Sequence, residues 1–598
     1  MSSSYSAPLT DIRFVLYDVL GADAVFEKLG LTEASRDMLD AVLDEAARFS
    51  ETMLAPLNGP ADEEGCSYDK TTGAVTTPAG FKQAYQHYVE GGWTGLSAPV
   101  EYGGQGLPYT VGTLLNELLT ASNLSWSNYP LLTHGVVEAL TQHGEDWQKE
   151  VFLKPLIAGR WGGTMCLTEP HCGTDLGLLK TRAKPNADGS YSVTGTKIFI
   201  TGGEHDLTEN IVHLVLAKLP DAPAGAKGIS LFVVPKFKVS RDGVMGERNA
   251  VHCGALEHKM GIKASATCVM NFDDAQGYLV GQANKGLYAM FTMMNTARLG
   301  VGVQGIGLSE RAYQNAVSYA RERLQSRSPG GAKYPDKPAD PIIVQPDVRR
   351  MLLNIKSLLE GSRVLALFAA LMVDVSQHSK DPEERQRADT LVAFLTPISK
   401  ACQTEWSVAN TYDAQQCYGG HGYIRENGME QLVRDARITT LYEGTTGIQA
   451  LDLIGRKTAQ SQGAGIKLFL GMIEAFCEQN ADNAALAEFI DPLRQKAEEW
   501  SELTLKIMQR VPQNPDELGA ASYDYLFYSG YIVLAYWWAR SVAAADASSH
   551  SDAFKRTKRD TARYYYARIL TRTLTHKAIL DSGAELLMAM DEERFDAR

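Results

Sequence analysis

The chain has 598 residues, room for about four domain-sized pieces at ~150 residues each. Its 44% hydrophobic, 9% aromatic and 22% charged residues exclude wholesale disorder, a fibrous repeat and a small disulfide-stapled scaffold. A net charge of −13 disfavours a phosphate-tracking nucleic-acid surface, yet leaves room for a local basic pocket that takes a phosphorylated small molecule.

The first residues, MSSSYSAPLTDIRFVLYDVL, carry no basic segment ahead of an apolar run, so no secretory leader is expected. From Ala34 to Leu57 apolar residues recur at helical spacing (Met38, Leu39, Val42, Leu43, Ala46, Ala47). A Gly-rich stretch at Glu101–Pro108 interrupts the pattern, which resumes through Leu114–Leu119 and Val136–Leu140. Near Gly162 the texture changes to short β-rich runs: Tyr191–Ile200, Ile211–Ala217 and Ile229–Val234, with NADGS at Asn186–Ser190 as a hairpin turn. Helical periodicity returns from Gly286, broken by a Pro/Gly-rich loop at Ser326–Asp340, and a linker is expected at Ser461–Gly465. The expected division is an N-terminal extension (1–40), a helical domain (41–160), a middle β domain (161–281), a helical bundle (282–457) and a further helical domain (466–598).

Several motifs are expected to be structural. Gly300, Gly302 and Gly305 spell GxGxxG, but helical sequence precedes them, so they suit close helix packing rather than a dinucleotide. Gly281 and Gly286 have P-loop spacing, but Leu287 and Tyr288 stand where Lys and Ser/Thr belong. Tyr525–Ala539 is uncharged but shorter than the ~20 residues of a bilayer span, and reads as a buried helix. Lys555–Arg559, KRTKR, reads as a solvated helix face. The eight cysteines form no CxxC pair and are expected to be reduced; no metal site is expected.

Six ordered blocks carry a joint signature: Met165–Asp175 (MCLTEPHCGTD), Lys197–Gly203 (KIFITGG), Glu257–Phe272, Arg298–Glu322, Gln415–Tyr423 (QQCYGGHGY) and Arg434–Gln449 (RDARITTLYEGTTGIQ). Together they resemble the acyl-CoA dehydrogenase family, over about residues 40–457. The resemblance implies an N-terminal helical domain, a β-barrel-like middle domain and a helical bundle, with FAD between the last two. The extra C-terminal helices are similar to those of a long bacterial subgroup, which implies a bacterial cytoplasmic enzyme.

The implied reaction desaturates Cα–Cβ of an acyl-CoA thioester to the trans-2-enoyl-CoA. A carboxylate takes the α-proton while a hydride leaves Cβ for flavin N5. Glu443 in YEGT matches the family's base, and burial beside a flat flavin would raise its carboxyl toward working pH. Its backbone N–H is expected to face the thioester oxygen. For FAD, the resemblance implies Met165, Leu167 and Thr168 at the ring edge and Gly173 and Thr174 at the pyrophosphate. It also implies Phe199, Ile200 and Thr201 on the ring face, Arg323 on the diphosphate, and Gln416, Gly420 and Thr445 around the cofactor. For the substrate it implies Thr174, Asn295 and Arg298 near the CoA mouth and Tyr442 and Gly444 beside the thioester; His421 is expected to be structural. Departures from the family pattern are Met165, Phe199, Asn295, Ser326 and Gly447. Electron-transfer flavoprotein is the expected acceptor and at least a homodimer the expected assembly, since Arg323- and Gln416-type contacts come from a neighbouring subunit in relatives. The expected substrate is 3-methylmercaptopropionyl-CoA. Alternatives are a medium- or long-chain acyl-CoA dehydrogenase, an acyl-CoA oxidase, a membrane-associated enzyme and a non-catalytic or DNA-binding relative.

Overall fold

The structure, a computed structural model, describes residues 5–596. Its principal helices are α1 (Leu9–Arg13), α2 (Arg36–Phe49), α3 (Tyr109–His143), α4 (Gly286–Glu322), α5 (Pro346–His378), α6 (Pro382–Cys417), α7 (Met429–Thr439), α8 (Thr446–Leu451), α9 (Ala464–Gln479), α10 (Ala487–Arg510), α11 (Asp516–Ala547) and α12 (Asp552–Tyr564). Between α3 and α4 lie the strands β1 (Trp161–Cys166), β2 (Arg182–Pro185), β3 (Tyr191–Thr201), β4 (Asn210–Lys218), β5 (Ile229–Pro235), β6 (Val251–Leu256) and β7 (Thr267–Val280). The chain forms two compact units, Glu45–Gly300 and Met1–Asp44 with Val301–Arg598.

In the unit Glu45–Gly300 the strands make one seven-stranded sheet. β7 pairs with β3, β3 with β2, β2 with β4, β4 with β5, and β5 returns to β7, so five strands close a ring. β1 runs parallel to β4, and β6 pairs with β7 outside that ring. The near-continuous apolar runs of β4 and β5 are buried along almost their whole lengths, as expected of strands covered on both faces. The β2–β3 hairpin turns where the sequence places it. Asp188 Oδ1 accepts from Ser190 N and Oγ, and Gly189 takes the left-handed φ of +82°. The two helical stretches expected around Leu114 and Val136 are one helix, α3, kinked at Asn123. The Asn123 side chain accepts from Trp126 N at 3.0 Å and so caps the second half from inside.

In the other unit, α11 carries the uncharged Tyr525–Ala539 stretch, all of it buried. Three of its polar tips have buried partners: Tyr525 meets the Thr504 hydroxyl at 3.0 Å, Tyr528 donates to Glu499, and Trp538 donates to Ser357 O at 2.9 Å, while the indole N–H of Trp537 is buried without one. These partners suit a protein core. No helix among the described residues is long and apolar enough to cross a membrane. The glycine motif packs α4 on α6: a Cβ on Gly305 would lie 2.6 Å from Gln403 O, and one on Gly302 2.5 Å from Gln403 Oε1.

Three local readings are corrected. The Ala34–Leu57 helix ends at Phe49 and continues as wider and then tighter turns through Leu57. The Ser461–Gly465 linker is only a turn, because Ala464 and Gly465 already belong to α9. KRTKR is a solvated face only in part: Arg556 and Thr557 are exposed, but Lys558 is buried. Its ammonium meets Asp11 of α1 and Glu360 of α5, while Arg363, also buried, meets Asp11 and Glu310. Burial works to raise the Asp11 carboxyl, but the Lys558 and Arg363 cations outweigh it and hold it far below the carboxylate range. The N-terminal extension is thereby tied into the helices at the other end of the chain.

Candidate active site

Two groups of site residues assemble, one in each unit. In the unit Glu45–Gly300, β1 carries Met165 near its end and Leu167 and Thr168 follow it directly, and β3 ends in Phe199, Ile200 and Thr201. Ile198 N donates to Thr168 O at 2.9 Å, which fixes the two strand ends side by side. Opposite them β7 has Cys268 facing Ile200 and Met270 facing Lys197, so Ile198 and Phe199 oppose Val269 alone. That β-bulge puts Phe199 at φ +61° and leaves its ring 60% exposed. A bulge re-aims a side chain, and an aromatic residue at positive φ is strained backbone that the surroundings must hold.

What holds it is a buried clamp that the sequence reading did not single out. Glu169, next to Thr168, accepts from Lys197 Nζ at 2.9 Å, from Thr181 Oγ1 at 2.6 Å and from the backbone N–H of Lys180 and Thr181. Lys197 Nζ also donates to Leu167 O at 2.9 Å. Burial costs both charges. On Glu169 it is outweighed by the ammonium, the hydroxyl and the N–H groups, which hold the carboxyl at about 2. On Lys197 desolvation wins over its carboxylate partner and moves the ammonium down. His171 and Cys172 come within 4.8 Å of Glu169, but the carboxylate is already committed to Lys197. The signal was present in the sequence as a charge in the second half of a strand, directly before the apolar residues Ile198, Phe199 and Ile200.

A pH dependence follows. The Glu169 folded value of about 2 lies below the ordinary ~4.3. Its stabilisation is therefore complete above about pH 4.3 and is lost as pH falls toward 2, worth about 3 kcal/mol. Melting temperature measured across this window should fall more steeply for the wild type than for Glu169→Gln. Parallel curves would remove the clamp from the account.

A planar heteroaromatic ring with polar edges fits this strand end. The exposed Phe199 ring offers an apolar face, and the half-buried Thr168 and Thr201 offer hydroxyls beside it. The loop beyond Thr168 exposes Gly173 and Thr174, and Gly173 has only the Thr168 methyl near its missing Cβ, at 3.5 Å. Leu167 differs from its neighbours: its side chain is in the apolar core, and only its carbonyl reaches the clamp. On α4, Arg298 is buried and Asn295 exposed.

In the other unit, α7 buries Met429, Leu432, Ala436 and Thr439 along one face and delivers the chain into the turn Thr440–Thr445 before α8. Glu443 sits in this turn at φ +56°, followed by Gly444 at +95°. Neither is a helical conformation, and for glutamate the left-handed one costs about 1–2 kcal/mol. Side chains from three helices hold the turn. Lys400 of α6 donates to Gly444 O at 2.7 Å, and Gln449 of α8 donates to Glu443 O at 3.1 Å. Thr446 donates to Glu405 of α6 at 2.5 Å, and Tyr442 OH donates to Gln304 of α4. Burial, then the Glu443 and Asp435 charges, push the Tyr442 phenol well up, so it remains a neutral donor. Gln304 lies inside the glycine motif, so the helix contact that admits no Cβ also places this acceptor.

Arg323, Gln416 and Gly420 form an exposed group in the same unit. Tyr319, one turn before Arg323, stacks on Tyr418 with ring centroids 4.1 Å apart, and its hydroxyl meets His421 Nδ1 at 2.7 Å. His421 therefore braces the Gly419–Tyr423 turn. Arg323 makes no ion pair among the described residues, so its guanidinium is available to a phosphate.

The sequence matches four family models in succession, between residues 37 and 591. They are the acyl-CoA dehydrogenase N-terminal domain (37–160), middle domain (164–275) and C-terminal domain (284–458), and a domain described as acetyl-CoA dehydrogenase C-terminal like (469–591). It is 42% identical to a 3-methylmercaptopropionyl-CoA dehydrogenase of Ruegeria pomeroyi, over 98% of this chain and all of that protein. It is 32% identical to a broad-specificity linear acyl-CoA dehydrogenase of Mycobacterium tuberculosis, over 99% of this chain and all of that one. Among solved structures, Caenorhabditis elegans ACDH-11 in complex with C11-CoA superposes with a TM-score of 0.79 at 18% identity, covering 94% of this chain and 91% of its own.

Proposed function

We propose, from the premise that this chain belongs to the acyl-CoA dehydrogenase family, that Glu443 is the base that removes the α-proton from 3-methylmercaptopropionyl-CoA. The family's enzymes are FAD-dependent oxidoreductases, and this chain is one of them. The observation that carries the base assignment is the braced, left-handed backbone of Glu443. A surface glutamate has no need of a strained φ held by donors from two other helices, whereas a base that must meet Cα does. Phe199, Thr168 and Thr201 are the residues that would hold the flavin ring, and Arg323, Gln416 and Gly420 those that would hold its diphosphate and adenosine half. When bound, FAD supplies the acceptor for the hydride that leaves Cβ. Tyr442, kept neutral and bonded to Gln304, fixes one side of the base's turn, and Glu443 takes the proton.

The full-length likeness to the Ruegeria pomeroyi enzyme supports the thioether substrate. Straight-chain acyl-CoA is the second reading, supported by the likeness to the broad-specificity enzyme. Electrons then pass to an electron-transfer flavoprotein, and the protein works as at least a homodimer in which Arg323 and Gln416 serve the neighbouring copy's FAD. Anaerobic mixing with a panel of acyl-CoA thioesters tests the substrate. The account expects 3-methylmercaptopropionyl-CoA to bleach the flavin fastest. Faster bleaching by a medium or long straight chain would replace it with the second reading, and rapid reoxidation of the reduced protein in air would replace the flavoprotein acceptor with oxygen.

A further inference from the structure

We propose that Lys400 is a positioning residue for the base, an assignment that rests on the reading of Glu443 above. Lys400 is fully buried in the middle of α6, in the run Pro397–Cys402 whose other side chains are also buried. An ammonium in such a place is expensive, and a leucine or methionine would fill the same volume at less cost. Its head lies 2.7 Å from the carbonyl oxygen of Gly444, the residue that follows Glu443. A charged donor holds a carbonyl more strongly than a neutral one. Gln449, also fully buried, takes the preceding carbonyl, that of Glu443, at 3.1 Å.

These two bonds act on the two peptide planes that follow the base, Glu443–Gly444 and Gly444–Thr445, on either side of the left-handed Gly444. At φ +56° Glu443 is strained, and without its braces the turn would relax toward negative φ there. Such a relaxation would turn the Glu443 side chain and break the Lys400–Gly444 bond. Gly444 itself packs closely on the Gln449 amide: a Cβ there would lie 2.6 Å from Gln449 Nε2. The ammonium thus selects the strained conformer. Lys400 is not placed in contact with substrate or cofactor; it acts through Glu443.

The test compares Lys400→Met with the wild-type holoenzyme, using acyl-CoA deuterated at Cα or at Cβ. The expected result is flavin reduction slowed by roughly 10²-fold, the scale of a base displaced by about 1 Å. FAD content and the affinity for the enoyl-CoA product should stay at wild-type values, and the α-deuterium isotope effect should rise more than the β. Lys400→Gln, which keeps a neutral donor, should recover part of the rate. Wild-type reduction by Lys400→Met overturns the proposal, and so does a loss in which only the β-deuterium effect grows, since that displaces the flavin rather than the base. If Lys400→Met does not fold, Lys400→Gln decides by the same readouts: a slowed rate with a larger α effect supports the proposal and wild-type values overturn it. A Glu443→Gln variant run alongside separates the two claims. If it reduces at full rate the base assignment itself fails; if it is inactive while Lys400→Met is not, only the role of Lys400 fails.

Discussion

Glu443→Gln is expected to lower the rate of flavin reduction by acyl-CoA by about 10²–10⁴-fold, the contribution of a positioned general base. The amide has the shape of the carboxylate and can keep the turn, but it has no lone pair basic enough to take an α-proton. The turn is also held by bonds that do not use the Glu443 side chain: Lys400 holds Gly444 O, Gln449 holds Glu443 O and Thr446 holds Glu405. The variant should therefore fold, bind FAD and bind enoyl-CoA as the wild type does. Because the loss falls on the chemical step, kcat and kcat/KM should drop together. Stopped-flow bleaching reads the rate directly, and product-induced change in the flavin spectrum reads binding.

Lys558→Met is expected to destabilise the unit that contains it by about 3–5 kcal/mol, the scale for breaking one partner out of a buried ion pair. Lys558 Nζ lies 2.8 Å from Glu360 Oε2 and also meets Asp11. Removing it leaves two buried carboxylates with one fewer cation, although Lys356 still meets Glu360 and Arg363 still meets Asp11. The loss should appear as a lower denaturant midpoint for that unit. Replacing Asp11 by Leu in the same chain should return part of it, because removing both charges of a pair costs less than stranding one. A midpoint equal to wild type would mean that the network is solvated and that the N-terminal extension is not held by it.

The helix–β–helix order, the Asn186–Ser190 hairpin and the use of the glycine triplet for helix packing were legible in the sequence, because each depends on neighbours a few residues apart. Lys558 was misread for the opposite reason. KRTKR is a run of cations in any local window, and only the fold brings Asp11 and Glu360 to the middle one. The same limit hid the site's supports. YEGT and KIFITGG point to Glu443 and Phe199 as residue types in a familiar order. Their positive φ values are conformations imposed from outside, by Lys400 and Gln449 in one case and by a bulge against Val269 in the other. Lys197 opens the apolar run Ile198–Ile200 and Lys400 lies among the small and apolar residues Ile398–Cys402, and a charge placed so is a sequence signal for a buried support. What such a lysine supports becomes visible only when its carbonyl partner is known.

The most direct test of the central claim is a single anaerobic mixing experiment in which wild type and Glu443→Gln, both carrying FAD, meet 3-methylmercaptopropionyl-CoA. The account predicts rapid bleaching of the oxidised flavin by the wild type and virtually none on the same timescale by the variant. Equal bleaching by the two would place the base elsewhere and contradict the account.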